Sequence, residues 1–387
     1  MTHFVPSSMP AEGLGVLLLF RLVEEATPAF FSPDRPIAVA RAPGRLLILG
    51  GRGGARAVTI PTAEAACAAV QRREDALVRV WSPTRADART ARISVALSDL
   101  GLPDAPMPYA EARAFFAADP KDRWAAHLFG GLLVLAREHG LGVGRGFDLL
   151  LYSDVPEGRG VGSSAAIEIA AMSAIGRAFG RELTPAELVA AAAVVEREVV
   201  GSGAVGRGAG HRTAVHGEAA EVLDLRGAGA PPADSHPVPA ELEFVALDVG
   251  AAAAGFAGGE PIGEDERSAR FCELLAGPID ADGKRELGAL MLASHDALVA
   301  AGHTDPATAF VVRKARERMA AGAALYGAST AGRGTVVLLG EPTKVWHEAL
   351  RLKKALFEHS GQAATIYRWS SPGAASFGAI ELVPARG

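Results

Sequence analysis

A glycine-rich stretch in the middle of the chain has the composition of a phosphate-binding loop. It reads PEGRGVGSSAA from Pro156 to Ala166, with three glycines at alternate positions, then two serines and a run of helix-forming residues. Glycines let the backbone approach a ligand closely, and the N-terminus of a helix adds partial positive charge and amide donors. The pattern favours binding of a phosphate group. A glycine-rich turn with Ser163 or Ser164 as an ordinary N-cap is the alternative.

Two familiar phosphate-binding motifs do not fit this stretch. A Walker loop requires a lysine next to its serine or threonine, and no lysine follows the glycines here. In the dinucleotide fingerprint the third glycine comes one residue later and the following residues are less polar. The loop is therefore neither a Walker loop nor a dinucleotide-binding loop.

Hydrophobic periodicity predicts the elements that position the loop. Residues 146–156 are typical of a strand that leads into it, and residues 163–180 predict the helix that follows. A further helix is predicted over 183–201, which opens with the outline of a capping box. Residues 36–51 predict two short strands, or one strand with a bend at Pro43 and Gly44. The chain is therefore expected to mix helices and strands.

Length and composition restrict the class of protein. The chain has 387 residues, of which 49% are apolar and 21% charged, so two domains with separate cores are expected. A net charge of -5 without a basic stripe argues against nucleic acid as the main partner. Two cysteines, Cys67 and Cys272, cannot form a disulfide framework or a cysteine metal cluster. They fit a reducing cytoplasm, which is the predicted location.

The N-terminal region does not have the pattern expected of a targeting or membrane segment. Residues 13–26 are apolar for a few positions, but they contain Arg21, Glu24 and Glu25 and lack a basic leader. They predict an amphipathic helix with one buried face. The sequence contains no stretch long enough to cross a bilayer, so no membrane partner is expected.

The best candidate for a domain boundary is the stretch 226–242. It is rich in proline, glycine and alanine, lacks periodicity, and predicts a linker or a surface loop. The predicted N-terminal domain is therefore 1–226, with the phosphate loop at 156–166, and the predicted C-terminal domain is 240–387.

Several motifs together resemble the GHMP kinase superfamily, which includes galactokinase and the homoserine, mevalonate and phosphomevalonate kinases. The motifs on which this resemblance rests are PEGRGVGSSAA, VARAPGRLLILGG (39–51), RWAAHLFGGLLVL, VVEREVVGSG, HGEA and SSPGAASFG (370–378). They are most similar to the L-arabinokinase and galactokinase branch, and the likeness runs in order from about 36 to 385. The resemblance implies an α+β fold of two domains, an S5-like N-terminal one and a ferredoxin-like C-terminal one. It also implies that ATP binds in the cleft between them.

The resemblance assigns roles to individual positions. Arg45 matches the arginine that steadies the transferring phosphoryl group. Ser163 and Glu196 match the ligands of Mg²⁺, a cation that prefers hard oxygen ligands. As alternatives, Glu196 is a solvated helix end and Arg45 pairs with a surface carboxylate. The positions that match the nucleotide-binding loop are Pro156, Gly158, Gly160, Gly162, Ser163, Ser164 and Ala165.

Other functional positions of the family are missing. In the family, an acidic residue and a short D-Y stretch bind the hydroxyls of the sugar. They have no counterpart here, since no Asp or Glu occurs between Arg45 and Glu64. No Asp or Glu occurs between Glu198 and Glu218 either, so glycine takes the place of the aspartate that faces the acceptor hydroxyl. The third glycine motif is reduced to GASTAGRGTVV (327–337). Turnover of an ordinary neutral sugar such as arabinose or galactose is therefore in doubt.

Three hypotheses about function follow from this pattern. The first is an ATP- and Mg²⁺-dependent kinase that phosphorylates a hydroxyl of a sugar or an acidic sugar derivative, with His211 as the base. The alternative for His211 is a surface or loop histidine. The second hypothesis is a pseudokinase that binds nucleotide without transfer, and the third is an interaction protein that has lost the nucleotide. The arginines that could attract an acidic acceptor are Arg52, Arg56, Arg207 and Arg212.

Overall fold

The computed structural model describes residues 3–6, 16–51, 56–83, 89–201, 208–227, 234–250, 261–332 and 334–385. The strands in these ranges are β1 (Phe4–Pro6), β2 (Ile37–Gly50), β3 (Arg56–Arg72), β4 (Leu77–Trp81), β5 (Arg92–Ala96), β6 (Phe147–Ser153), β7 (Glu221–Arg226), β8 (Asp234–Pro237), β9 (Glu243–Asp248), β10 (Leu325–Gly332), β11 (Thr335–Gly340), β12 (Thr365–Arg368) and β13 (Ala379–Pro384). The helices are α1 (Val16–Ala26), α2 (Tyr109–Ala117), α3 (Ala125–Glu138), α4 (Ser163–Ala178), α5 (Pro185–Val194), α6 (Ala209–His216), α7 (Glu264–Leu275), α8 (Ala281–Ala300), α9 (Pro306–Ala320), α10 (Lys344–Ser360) and α11 (Ala374–Phe377). A 3₁₀ turn covers Leu97–Leu100, and a π-helical turn covers Val195–Val200.

The strands form two sheets. The larger sheet has the order β1-β13-β2-β3-β6-β4-β5, with β7 paired to β3 and β8 paired to β7. Its described pairs are antiparallel except for β4 and β6, which run parallel. The last strand of the chain, β13, pairs with β2, so the C-terminal end completes the sheet built mainly by the N-terminal half.

The smaller sheet is antiparallel and has the order β10-β11-β9-β12. Helices α8 and α9 pack on β10, and α10 packs on β9. Each sheet therefore has its own helices, and the molecule has the mixed α+β architecture predicted from the sequence.

Buried side chains form separate layers around the two sheets. The largest core cluster includes residues of α3, α4 and α5 and reaches strands of both sheets. A second cluster lies between the smaller sheet and helices α9 and α10. Helix α1 packs on the other face of the larger sheet and buries Val16, Leu19, Val23 and Ala26. This agrees with the amphipathic helix predicted at 13–26, for the part of it that the structure describes.

The structure decides one local prediction and changes another. Residues 37–50 form one continuous strand, β2, with a register shift between Pro43 and Arg45, which confirms the single bent strand over the alternative of two strands. Proline has no amide to donate, so the ladder is interrupted there without ending. The stretch 226–242 is not only a linker, because Asp234–Pro237 forms β8 and pairs with β7.

The capping box at the start of α5 is confirmed. The Thr184 hydroxyl accepts a hydrogen bond from the Glu187 amide, and the Glu187 carboxylate accepts one from the Thr184 amide at 2.8 Å. In the described part of the chain, no helix is both long and apolar enough to span a membrane.

Candidate active site

The glycine-rich loop joins β6 to the N-terminus of α4. Gly162 is the N-cap and has a φ of 82°, a left-handed conformation that favours glycine. Within the described residues, no backbone hydrogen bond uses the amides of Ser163, Ser164 and Ala165 as donors. These amides are the unsatisfied donors of a helix N-terminus, which is the arrangement that binds anions.

The loop is held from two sides. The Arg45 amide of β2 donates to the Val161 carbonyl at 2.7 Å, which fixes the loop against the larger sheet. On the other side, the Arg159 side chain lies 3.3 Å from the Asp248 carboxylate at the end of β9. The Thr335 hydroxyl of β11 donates to the Arg159 carbonyl at 3.4 Å. The loop therefore lies between the two sheets, with both contributing to its position.

A cavity of about 610 Å³ opens beside the loop. Its volume is within the usual range for small-molecule sites. Helices α3, α4 and α6 and the π-helical turn contribute side chains to its wall. The predicted site residues in its lining are Arg45, Gly158, Gly160, Gly162, Ser163, Ser164, Ala165, Glu196 and His211, whereas Pro156 is not in the lining.

Glu196 projects from the π-helical turn into the cavity. Its Oε1 accepts a hydrogen bond from the Ser164 hydroxyl at 2.9 Å. It is therefore not a solvated helix end, and π-helical turns of this kind are frequent at functional sites. The structure pairs Glu196 with Ser164, one residue after the predicted Ser163, although both hydroxyls belong to residues of the cavity wall. Hard oxygens at this place fit the ligand preference of Mg²⁺.

Arg45 is held next to the loop by close packing. A Cβ atom on Gly162 would lie 3.0 Å from Arg45 Cγ, and one on Gly210 would lie 3.8 Å from Arg45 Nε. The arginine thus lies between the start of α4 and the start of α6. Its place in the cavity wall positions a permanent positive charge next to the predicted phosphate site.

His211 is neither a surface nor a loop histidine. It lies on α6 and is 2% exposed, with its Nε2 at 2.7 Å from Glu168 Oε2. Burial alone would lower the pKa of His211, but the hydrogen bond to Glu168 and the charge of that carboxylate raise it. The surface alternative fails because α6 packs on α4 and His211 is buried.

Two further residues of this site were not predicted. Glu168 is fully buried on α4, and its Oε1 lies 2.6 Å from Nδ1 of His127 on α3. Burial would raise the pKa of Glu168, but its hydrogen bonds with His127 and His211 lower it. One signal was present in the sequence, because Glu168 is a lone charge in the apolar run of α4, four residues after Ser164.

The arginines expected to attract an acidic acceptor are engaged elsewhere or lie outside the described residues. Arg56 binds Asp224 through Nε at 2.6 Å and Nη2 at 2.5 Å, and Arg212 donates to the Arg226 and Gly227 carbonyls. Neither lines the cavity. This part of the prediction was wrong for both, because strand β7 supplies partners that the sequence spacing did not show. Arg52 and Arg207 lie outside the described residues.

Two groups of side chains have the composition of cation sites. Potential ligand atoms of Glu168, Glu196 and His211 lie within 4.8 Å of one another at the cavity. A second group combines Asp224 with His236 and Cys272, away from the cavity. The carboxylate of that second group is already bound by Arg56, whose positive charge opposes a cation.

Comparison with known proteins finds a family whose sequence model covers the loop and part of the cavity wall. The sequence model of the family described as GHMP kinases N terminal domain matches residues 126–209, which contain the loop, Glu168 and Glu196. The chain is similar to GHMP kinases in this region, which covers less than half of its length. Its relatives include L-arabinokinase from Arabidopsis thaliana, 37% identical over 189 residues, and galactokinase from Levilactobacillus brevis, 29% identical over 157 residues.

These matches cover limited parts of the proteins compared. The arabinokinase match spans 42% of this chain and 18% of the plant protein, and the galactokinase match spans 40% of this chain and 36% of the bacterial protein. The chain therefore matches well under two thirds of the length of either relative.

Solved structures show the same fold over most of the chain. Lactococcus lactis galactokinase, solved in complex with galactose, superposes with a TM-score of 0.68 at 18% identity and covers 92% of this chain and 99% of its own. Methanococcus jannaschii mevalonate kinase gives a TM-score of 0.62 at 15% identity and covers 86% and 98%. The GHMP kinase fold predicted from the sequence is confirmed. As a family, GHMP kinases use ATP with Mg²⁺.

Proposed function

We propose that this protein is an ATP-dependent phosphotransferase that acts on a hydroxyl of a sugar or sugar-derived molecule. The observation that carries the proposal is the set of amides at the start of α4, which face a cavity of suitable size without internal partners in the described residues. Three phosphate groups of a nucleotide need such donors because their negative charge must be matched when it leaves water.

The residues around the loop can serve phosphoryl transfer, which depends mainly on positioning and charge. Ser164 and Glu196 would hold Mg²⁺, which when bound offsets the charge of the β- and γ-phosphates. Arg45 lies beside the same helix terminus and would stabilise the negative charge of the transferring group. His211 would accept the proton of the acceptor hydroxyl.

One observation supports a pseudokinase as the second candidate. A glycine takes the place of the family's acceptor-facing aspartate, since no Asp or Glu occurs between Glu198 and Glu218, and glycine has no side chain to serve as base. A positioned base is usually worth about 10²–10⁴ in rate, so its loss alone need not abolish transfer. The proposals therefore differ in whether His211 replaces that aspartate.

The experiment that separates these candidates is an ATP-consumption assay with Mg²⁺ and a panel of neutral sugars, sugar acids and sugar phosphates. A phosphotransferase consumes ATP only when the correct acceptor is present and yields a phosphorylated product visible by mass spectrometry. Binding of ATP without turnover on any acceptor would support the pseudokinase. Absence of nucleotide binding would contradict both candidates.

A further inference from the structure

One buried carboxylate connects two histidines of the cavity wall. Glu168 of α4 lies 2.7 Å from Nε2 of His211 and 2.6 Å from Nδ1 of His127. Glu168 and His211 are 0% and 2% exposed, so water does not compete for these hydrogen bonds. Both histidines line the cavity beside the loop, whereas Glu168 lies behind them. We call these three residues the Glu168 cluster.

The Glu168 cluster determines which nitrogen of His211 can act as a base. An ionised carboxylate only accepts hydrogen bonds, so Nε2 of His211 must carry the proton that it donates to Glu168. In the neutral ring the lone pair then lies on Nδ1. This Nδ1 is buried and makes no hydrogen bond within the described part of the chain. A buried nitrogen without a partner is costly for stability, which is typical of groups kept for function.

We infer that Glu168 is a positioning residue that holds His211 in the tautomer whose lone pair lies on Nδ1, the nitrogen that takes the proton of the acceptor hydroxyl. The inference rests on the proposed phosphotransfer. In that step the hydroxyl proton moves to Nδ1, the hydroxyl oxygen bonds to the γ-phosphorus, and the bond from this phosphorus to the bridging oxygen of ADP breaks. The imidazolium that forms is stabilised by Glu168, and its proton later passes to water. This is how a carboxylate behind a histidine works in other active sites.

His127 has a secondary role in this arrangement. By donating to Oε1, it leaves Oε2 to His211 and prevents the carboxylate from rotating between the two rings. A glutamine at position 168 has the same size but only one acceptor oxygen. Because each histidine donates to a different oxygen of Glu168, the ring that faces the amide nitrogen of glutamine must change tautomer or lose its hydrogen bond.

The test compares Glu168→Gln with Glu348→Gln, which makes the same change at another buried glutamate, on α10 and outside the cavity wall. Glu168→Gln should lower kcat about 100-fold. The KM for ATP should remain unchanged because Glu168 does not line the cavity. Glu348→Gln should keep the wild-type kcat.

A second measurement reads the tautomer directly and needs no variant. Nitrogen-15 NMR of the histidine rings should show His211 of the wild-type protein with its proton on Nε2, and a proton on Nδ1 of the neutral ring would overturn the inference. An unchanged kcat in a folded Glu168→Gln protein would overturn it as well, while leaving the phosphotransferase proposal intact. If wild-type protein transfers no phosphate to any acceptor, both proposals fail.

Discussion

Two buried glutamates in different parts of the molecule are each bound by two basic side chains, but their partners differ in kind. Glu168 on α4 binds two histidines, His127 and His211. Glu348 on α10, beside the smaller sheet, binds Arg318 at 2.8 Å and also Arg351. The side chains of Arg318 and Arg351 are 40% and 60% exposed, whereas that of His211 is 2% exposed.

The difference shows how one type of contact serves two purposes. An arginine is always charged, and the two arginines here remain exposed to water. Glu348, Arg318 and Arg351, which we call the Glu348 group, therefore form ion pairs at the edge of a core. A histidine can change charge near neutral pH and has a second nitrogen with separate chemistry. Only the Glu168 cluster reaches the cavity. Charge pairing at Glu348 thus supports the fold, whereas at Glu168 we propose that it also prepares His211 for proton transfer.

The largest expected effect distinguishes the two regions by activity. Arg45→Ala should lower kcat about 10³-fold, because it removes the positive charge beside the transferring phosphoryl group. Arg318→Ala removes a positive charge from the Glu348 group and should leave kcat unchanged. Steady-state kinetics with the acceptor found in the panel assay measures both. Equal losses in the two variants would show that the cavity has no special role.

A smaller effect is expected in stability. Glu168→Ala should lower the free energy of unfolding by about 3–5 kcal/mol, because it removes the partner of two cavity-wall histidines and leaves a void. Glu348→Ala should lower it by about 1 kcal/mol, since its arginines remain solvated. Urea unfolding followed by circular dichroism gives both values. A larger loss for Glu348→Ala would contradict the comparison.

The smallest effect is a pH dependence that only one region should show. Burial by itself would lower the pKa of both His127 and His211. The hydrogen bonds to Glu168 and its charge raise both pKa values, the charge of Glu196 raises them further, and the net shift is upward. Groups with raised pKa values stabilise the fold fully below about pH 6.5, and this stabilisation is lost as pH rises through the raised values. The stability difference between wild type and Glu168→Gln should therefore shrink as the pH rises above neutrality.

The Glu348 group provides the control for this prediction. Hydrogen bonding by Arg318 lowers the pKa of Glu348, so its contribution is present above the ordinary value near 4.5 and is lost only as pH falls. The difference between wild type and Glu348→Gln should thus be constant from pH 6 to 8, in unfolding experiments at matched ionic strength. A parallel change in both variants would show that the histidines are not responsible.

Local sequence patterns were enough to predict the elements of the site that follow one another in the chain. The strand, the glycines and the helix N-terminus at 146–166 are adjacent, so propensity and spacing define them. The capping box of α5 is equally local and is confirmed. Arg45 and Glu196 came from the family resemblance, and the structure places both in the cavity wall.

Contacts between distant segments could not be predicted in this way. The hydrogen bonds of Glu168 reach residues 41 and 43 positions away, on two different helices, and no sequence period connects them. The partner of Arg56 is Asp224, 168 positions away on a strand that pairs beside it. Long-range pairing of this kind is decided by topology, which is why the proposed acidic-acceptor role of Arg56 was wrong.

The central claim is that the glycine-rich loop binds the phosphates of ATP. Isothermal titration with ATP and Mg²⁺ should show binding to wild-type protein and to Gly180→Val, and no binding to Gly162→Val. Both glycines have a positive φ, of 73° and 82°, so the backbone strain is matched. Only a side chain at position 162 would press on Arg45 at the start of α4, while position 180 is open. Equal ATP binding by the two variants, or none by the wild-type protein, would contradict the claim.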